Sequence, residues 1–283
     1  MQTPILPAAG TFGLSADADL RIAEAEHRLI CGDCLTVLPT LDSGSVDLVV
    51  TSPPYNLGIA YGRYSDTRQE ADYLAWMEAV ADALRRVMKP DASFFLNISG
   101  SPLQPWLPFE LIVRLRRLFV MQNHIVWVKA IAVPDTAVGH HKPVGGTRFL
   151  NRNHEHLFHL TLTGDVVLDR TAVGVPFKDK SNIARRGHAR DLRCRGDTWF
   201  VPYETVQRRS GKHDHPGTYP LALPRWCIRL HGRPEPVVLD PFSGVGTTVL
   251  AAALEGGRGI GIEIDPAYVE TARSRLAAAA AAA

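Results

Sequence analysis

Two stretches of the chain combine residue types that chemistry can use. Thr51-Ser52-Pro53-Pro54-Tyr55 sets a hydroxyl, two prolines and an aromatic ring at consecutive positions. The prolines remove two N–H donors and stiffen the backbone, so the stretch offers carbonyl oxygens and the Ser52 hydroxyl as acceptors in a fixed arrangement. Tyr55 adds a face on which a flat ring can stack. Much later, Asp240-Pro241-Phe242-Ser243-Gly244-Val245-Gly246-Thr247-Thr248 places a carboxylate ahead of two glycines that let the backbone bend and approach a ligand. About twenty residues beyond them, Gly259-Ile260-Gly261-Ile262-Glu263 ends in a side chain able to accept both hydroxyls of a ribose. By spacing alone the glycines also fit a ligand-free strand-to-helix turn, or a dinucleotide fingerprint, which would want a third glycine where Val249 stands.

Strands and helices in alternation must carry these loops. His27 to Cys31 and the bare apolar run Val46 to Val50 read as strands, the second delivering Ser52. Gln69 to Met88 has helical apolar spacing, Lys89-Pro90-Asp91 breaks it, and Ala92 to Ile98 reads as the next strand. A helix over Pro105 to Phe119 and a strand over Gln122 to Val128 follow. After Ala130 the alternation lapses, with two β segments expected around Thr163-Gly164. It resumes with a helix in Pro220 to His231, the strand Val237 to Asp240, a helix over Thr247 to Glu255, the strand Gly259 to Ile264 and a helix from Pro266. Alternation of this kind predicts an α/β fold, a doubly wound and mostly parallel sheet.

Ser-Pro-Pro-Tyr together with Asp-Pro-Phe-Ser-Gly-x-Gly-Thr-Thr resembles the catalytic and cofactor motifs of the β-class DNA amino-methyltransferases, which modify N4 of cytosine or N6 of adenine. The catalytic motif comes first, so the resemblance, over residues 27 to 276, implies a circularly permuted, Rossmann-like methyltransferase fold using S-adenosylmethionine. It implies catalytic roles for Ser52, Pro53, Pro54 and Tyr55. Cofactor contacts would come from Asp33, Cys34, Thr218, Asp240, Phe242, Ser243, Gly244, Gly246, Thr247, Thr248, Glu263 and Asp265. Asp33 matches the family's acceptor for the adenine amino group, but it also suits a helix cap. Asp265, followed by Pro266, reads more readily as an N-cap. His215-Pro216-Gly217-Thr218-Tyr219-Pro220 resembles the motif ahead of the family's first helix, although typical members have a lysine near Tyr219, which leaves the contact at Thr218 open. On this reading an arginine at Gly246 would block the cofactor.

An exocyclic amino group is a weak nucleophile because its lone pair is delocalised into the ring. Acceptors around it, here Ser52 Oγ and the Pro53 carbonyl, favour a pyramidal nitrogen whose lone pair faces the methyl group. A paired base must be flipped out to reach such a loop. Serine in the first position resembles the N4-cytosine enzymes, with N6-adenine as the alternative. C5-cytosine chemistry needs a cysteine nucleophile, usually after proline, and no Pro-Cys occurs.

The chain's formal net charge of +2 does not announce a nucleic-acid partner, but from Arg170 to His215 eleven Lys or Arg face five acids. Lys180, Arg185, Arg186, Arg190, Arg193 and Arg195 are the expected contacts to double-stranded DNA. His140, His141, Lys142, Arg148 and Arg152 are a second candidate group, in a loop that closes over DNA, and Glu155 resembles a residue beside the flipped-base pocket. The four cysteines include Cys31-Gly32-Asp33-Cys34 but no second pair to complete a zinc site, so no metal is expected. No run of 18 apolar residues or export signal is present, which predicts a cytoplasmic protein with no membrane association. The expected division is an N-terminal arm at 1–26, a catalytic half at 27–130, a target-recognition insertion at 131–214, a cofactor half at 215–276 and an alanine-rich tail at 277–283. The resemblance leaves room for a homodimer and for a restriction endonuclease sharing the target sequence.

Overall fold

Val46 to Val50 carries apolar side chains toward both faces of an extended chain, and such a strand must lie in a sheet covered by helices on both sides. The computed structural model describes residues 27–59, 64, 66–133, 136–139, 144–185, 190–203 and 217–282. The arm at 1–26, Arg186, and His140, His141 and Lys142 lie outside the described residues. The chain runs β1 (Arg28–Cys31), α1 (Cys34–Val37), β2 (Val46–Thr51), α2 (Glu70–Val87), β3 (Met88–Ile98), α3 (Leu107–Leu115), β4 (Val120–Val128), β5 (Ala130–Val133) and β6 (Thr136–Gly139). It continues through β7 (His154–Thr161), α4 (Ser181–Arg185), β8 (Thr198–Phe200), α5 (Ala222–His231), β9 (Val237–Asp240), α6 (Thr247–Leu254), β10 (Arg258–Glu263) and α7 (Pro266–Ala281).

Eight of these strands form one sheet in the order β1-β10-β9-β2-β3-β7-β4-β8, and β5 and β6 pair separately. From β1 to β3 every neighbour is parallel, and all six residues of β2 are buried. β7 runs antiparallel to both β3 and β4, and β8 is parallel to β4. The mostly parallel sheet expected from the alternation is therefore present, and β9, from late in the chain, lies directly beside β2 from its first half.

The range 131–214, read from sequence as an insertion, is in part the sheet itself: β7 fills the place between β3 and β4, and β8 forms an edge. The second β segment expected after Thr163-Gly164 does not form. Gly164 turns the chain at φ +86°, and the backbone of Val166 is satisfied by a side chain: Gln122 Nε2 donates to its carbonyl at 2.7 Å and Gln122 Oε1 accepts its N–H at 3.1 Å. With those groups paired, a neighbouring strand is not needed.

α2 buries Tyr73, Leu74, Met77, Val80, Ala81, Leu84 and Val87 at helical spacing, with Glu70 and Asp72 in its first turn and Arg85 and Arg86 in its last, each suiting the helix dipole. α2 and α3 join Phe94, Leu96 and Phe158 on one face of the sheet. α5 and α6 pack on the other against Leu48, Val50, Phe95, Leu157 and the fully buried Trp127 and Trp199. No helix among the described residues is long and apolar enough to cross a membrane.

Candidate active site

β2 and β9 are parallel neighbours, so both release their loops at the same edge of the sheet, where ligands of open α/β sheets bind. Thr51 Oγ1 donates to Asp240 Oδ1 at 2.6 Å, joining the two sequence stretches across 189 positions. The other oxygen of Asp240 accepts from Thr248 Oγ1 at 2.6 Å and the Tyr219 hydroxyl at 3.2 Å, and Phe242 N donates to Oδ1 at 3.1 Å. Burial pushes the Asp240 carboxyl up, against the pull of these donors. Thr51 belongs to one loop's strand, Phe242 and Thr248 to the other loop and its helix, and Tyr219 to the segment ahead of α5, so the carboxylate ties both loops and that segment together.

The joined loops border a cavity of about 400 Å³. Its walls include Asp33, Cys34, Ser52, Pro54, Thr218, Asp240, Phe242, Ser243, Gly244, Thr247, Glu263 and Asp265. Glu263 Oε2 accepts from Gly244 N at 2.9 Å and Oε1 from Asp265 N at 2.8 Å, so this carboxylate orders the glycine loop while each oxygen keeps a lone pair for a ligand. Asp33 and Asp265 both cap helices, through Leu35 N at 2.7 Å and Ala267 N at 2.9 Å. Burial pushes the Cys34 thiol up to about 12, so it faces the site as a neutral group.

Two expected cofactor contacts lie behind the wall. Thr248 is fully buried, bonded to Asp240 and, at 3.3 Å, to the Val50 carbonyl. Gly246 has φ +76°, and a Cβ there would meet the Ala272 Cβ of α7 at 2.7 Å. Any side chain at this position meets α7 at its first carbon, so the disturbance expected of an arginine starts with the packing of the loop on α7 rather than with a direct block of the cofactor.

Sequence reading missed the other side of the pocket. Asp66 accepts from Asn56 N at 2.8 Å, Leu57 N at 2.9 Å and Ile59 N at 3.1 Å, folding the segment after Tyr55 back on itself. Asn56 holds φ +57° within this turn and receives Arg68 N at 2.7 Å. The fold-back brings Tyr64 and Arg68 to the cavity beside Trp76 of α2, with Tyr64 stacked on Trp76 at 5.5 Å, Arg68 over Trp76 at 4.8 Å, and Phe242 edge-on to Trp76 at 5.4 Å. An Asn and an Asp ten residues apart gave no periodic signal that could have revealed it.

The Tyr73 hydroxyl of α2 donates to the Pro54 carbonyl at 2.7 Å, fixing the proline pair from below. Ser52 Oγ lies 2.8 Å from Tyr55 OH, which donates to Glu155 Oε2 at 2.9 Å. Asn97 Nδ2 reaches Tyr55 OH at 2.6 Å and Glu155 Oε2 at 2.8 Å, and Lys129 Nζ donates to Glu155 Oε1 at 2.8 Å. Burial pushes the Glu155 carboxyl up, but Lys129, Asn97 and Tyr55 outweigh it and hold it below its ordinary value. Asn97 is 2% exposed, and its Oδ1 has no partner among the described residues.

The basic segment divides. Arg185, Arg190 and Arg193 are exposed. Lys180 is paired with Asp191. Arg195 lies over the Trp226 ring at 4.0 Å with its Nε on the Val173 carbonyl at 2.8 Å, so it packs against the protein rather than standing free. Among the described residues no group of three His, Cys, Asp or Glu is arranged to hold a metal ion.

The family model N6_N4_Mtase, described as DNA methylase, matches residues 46–274. This chain belongs to that family. Among relatives of this N6/N4 DNA methylase, the type II methyltransferase M.XycI of Xanthomonas campestris pv. cyanopsidis is 31% identical over 281 residues, covering 87% of this chain and 86% of the relative. The DNA adenine methyltransferase YhdJ of Escherichia coli (strain K12) is 27% identical over 262 residues, covering 90% and 84%. PvuII DNA methyltransferase (cytosine-N4-specific) shares the fold, with a TM-score of 0.68 over 87% of this chain and 85% of that one at 20% identity. TTHA0409 of Thermus thermophilus, solved in complex with S-adenosyl-L-methionine, superposes with a TM-score of 0.60 over 90% and 95% at 25% identity.

Proposed function

We propose that this DNA methyltransferase binds S-adenosylmethionine in the cavity beside Asp240 and transfers a methyl group to N4 of a cytosine flipped out of duplex DNA. The observation that carries the reading is that Ser52 and Pro54 share the wall of one cavity with Phe242, Gly244 and Glu263. Acceptors for an amino group thus adjoin the loop suited to the cofactor.

The cavity's chemistry fits that cofactor. Four carboxylates, of Asp33, Asp240, Glu263 and Asp265, and one guanidinium, of Arg68, are among its lining groups, a balance suited to a ligand bearing ammonium and sulfonium charges. Glu263 would hold the ribose hydroxyls and Asp33 the adenine amino group, beside the rings of Phe242 and Trp76. Thr218 and Thr247 offer hydroxyls to the carboxylate. Bound there, S-adenosylmethionine supplies an electrophilic methyl group on sulfur.

Ser52 Oγ and the Pro53 carbonyl accept the amino hydrogens and favour a pyramidal nitrogen with its lone pair available. Stacking on Tyr55 offsets part of the unstacking cost of about a few kcal/mol. Arg185, Arg190 and Arg193 contact phosphates, and Lys180 joins them if its pairing with Asp191 opens. Serine at the head of Ser-Pro-Pro-Tyr favours cytosine. The similarity to YhdJ supports N6 of adenine as the second reading.

The deciding experiment incubates the protein with unmethylated DNA and labelled S-adenosylmethionine, then digests the DNA and identifies the nucleosides by mass spectrometry. N4-methylcytosine is the expected product. N6-methyladenine overturns the base, and no labelled nucleoside on diverse DNA overturns the reading.

A further inference from the structure

Serine is an ambiguous residue to place beside an amino group, because a hydroxyl both donates and accepts. Only acceptance serves the reaction proposed above: a hydroxyl proton turned toward the nitrogen competes for the lone pair that must attack. The groups behind Ser52 remove the ambiguity. An ionised carboxylate accepts and never donates. Glu155 takes the Tyr55 hydroxyl proton at 2.9 Å, an Asn97 amide proton at 2.8 Å and a Lys129 ammonium proton at 2.8 Å. With its one proton on Glu155, Tyr55 presents only lone pairs to Ser52, so Ser52 is the donor in the 2.8 Å contact between them. The carboxylate also fixes which end of the Asn97 amide is nitrogen, and that nitrogen donates to the Tyr55 oxygen at 2.6 Å.

We infer that Glu155 sets the direction of the chain from Ser52 through Tyr55 to itself, so that the Ser52 oxygen faces the substrate's amino group as an obligate acceptor, with Lys129 the charge that maintains this state. The inference rests on the methyl-transfer reading but not on which base is modified. Glu155 and Lys129 are positioning residues that act through Tyr55 and Ser52. Neither is among the residues lining the cavity, whereas Ser52 is.

Protonation of Glu155 would let the chain reverse, so the rate is lost as pH falls through its value. Among the described residues four titratable groups face it: Lys129, Tyr55, Tyr203 and its strand neighbour His156. Tyr203 is pushed up by burial, and His156 is lowered to about 4, mainly by burial, so both are neutral near pH 7. Lys129 is then the cation that holds Glu155 ionised.

The test is single-turnover methylation of unmethylated duplex DNA across the pH range in which each protein stays folded. Lys129→Met is expected to bring into range an acid-side loss of rate, displaced upward by about one pH unit or more. Lys129→Arg keeps the unsubstituted profile. Glu155→Gln places an amide that can donate back toward Tyr55, and its rate falls on the order of 10²-fold with cofactor affinity retained. An acid limb unmoved in Lys129→Met, or a Glu155→Gln rate equal to that of the unsubstituted protein, overturns the assignment while leaving the methyl-transfer reading intact. If Glu155→Gln fails to fold, the two Lys129 variants still decide. Absence of any methyl transfer by the unsubstituted protein overturns both.

Discussion

At the amino end of β2, the buried Asp47 carboxylate is gripped by Lys89 Nζ at 2.8 Å, by Arg233 at 2.6 Å and by Val237 N at 2.9 Å. Past the carboxyl end of the same strand, Asp240 is equally buried, but its partners are the hydroxyls of Thr51, Thr248 and Tyr219 and the N–H of Phe242. Burial pushes both carboxyls up; at Asp47 the two cations and the amide outweigh it and the value falls, whereas at Asp240 neutral donors do not and it rises. The difference separates a staple from a site. Asp47 and its two cations leave little charge to address a ligand, while Asp240 orders two loops with neutral groups and leaves the cavity rich in carboxylate for a cationic cofactor. Glu155 lies between these cases, paired with one cation on one oxygen and with the other accepting from the Tyr55 hydroxyl.

The comparison breaks most visibly at the functional end. Ser52→Ala should lower single-turnover methylation about 10²- to 10³-fold with cofactor affinity and melting temperature unchanged. Unaltered turnover would remove Ser52 from the chemistry. At the other end Asp47→Asn should leave turnover at low temperature intact but cost about 2 kcal/mol of stability in denaturant titration, discounted because Lys89 and Arg233 are partly exposed. The sign of its pH dependence follows from the lowered pKa. The contribution is fully present above the unfolded carboxylate value of about 3.9 and disappears as pH falls through the native value, so acid unfolding should be shallower in the variant.

Gly246→Ala tests the contact behind the cofactor loop. Its left-handed φ and the approach to Ala272 should cost about 1–3 kcal/mol in thermal unfolding, with weaker cofactor binding following from loop distortion. A variant as stable as the parent that binds no cofactor would restore the direct-contact reading. The smallest effect is expected at Arg193→Ala, which should reduce the slope of log DNA affinity against log salt by about one and leave stability and cofactor binding alone. An unchanged slope would place DNA elsewhere.

The sheet was legible where strands follow helices, because apolar periodicity reports local geometry. Val237–Asp240 appears with the expected bounds, whereas the strand expected over Ala92 to Ile98 begins four residues earlier, at Met88, and takes in the expected break at Lys89-Pro90-Asp91. β7 was recognised as extended chain but misplaced, since no helix precedes it and its neighbours β3 and β4 are fixed by antiparallel register alone. The cap at Asp265 was readable because its partner, Ala267 N, is two residues away.

By itself the sequence determined the alternating α/β order, the two motif loops and, through their order, the permuted family to which the chain belongs. Folding decided which groups those loops confront. Tyr55 meets Asn97 from 42 positions away and Glu155 from 100, and Thr51 meets Asp240 from 189. Gly246 turns toward α7, and the turn held by Asp66 sets Tyr64 against Trp76 of α2 at the cavity. Periodicity and capping act over a few residues, whereas the partner of a side chain at a strand end is set by sheet order and register, which exist only once the sheet has closed.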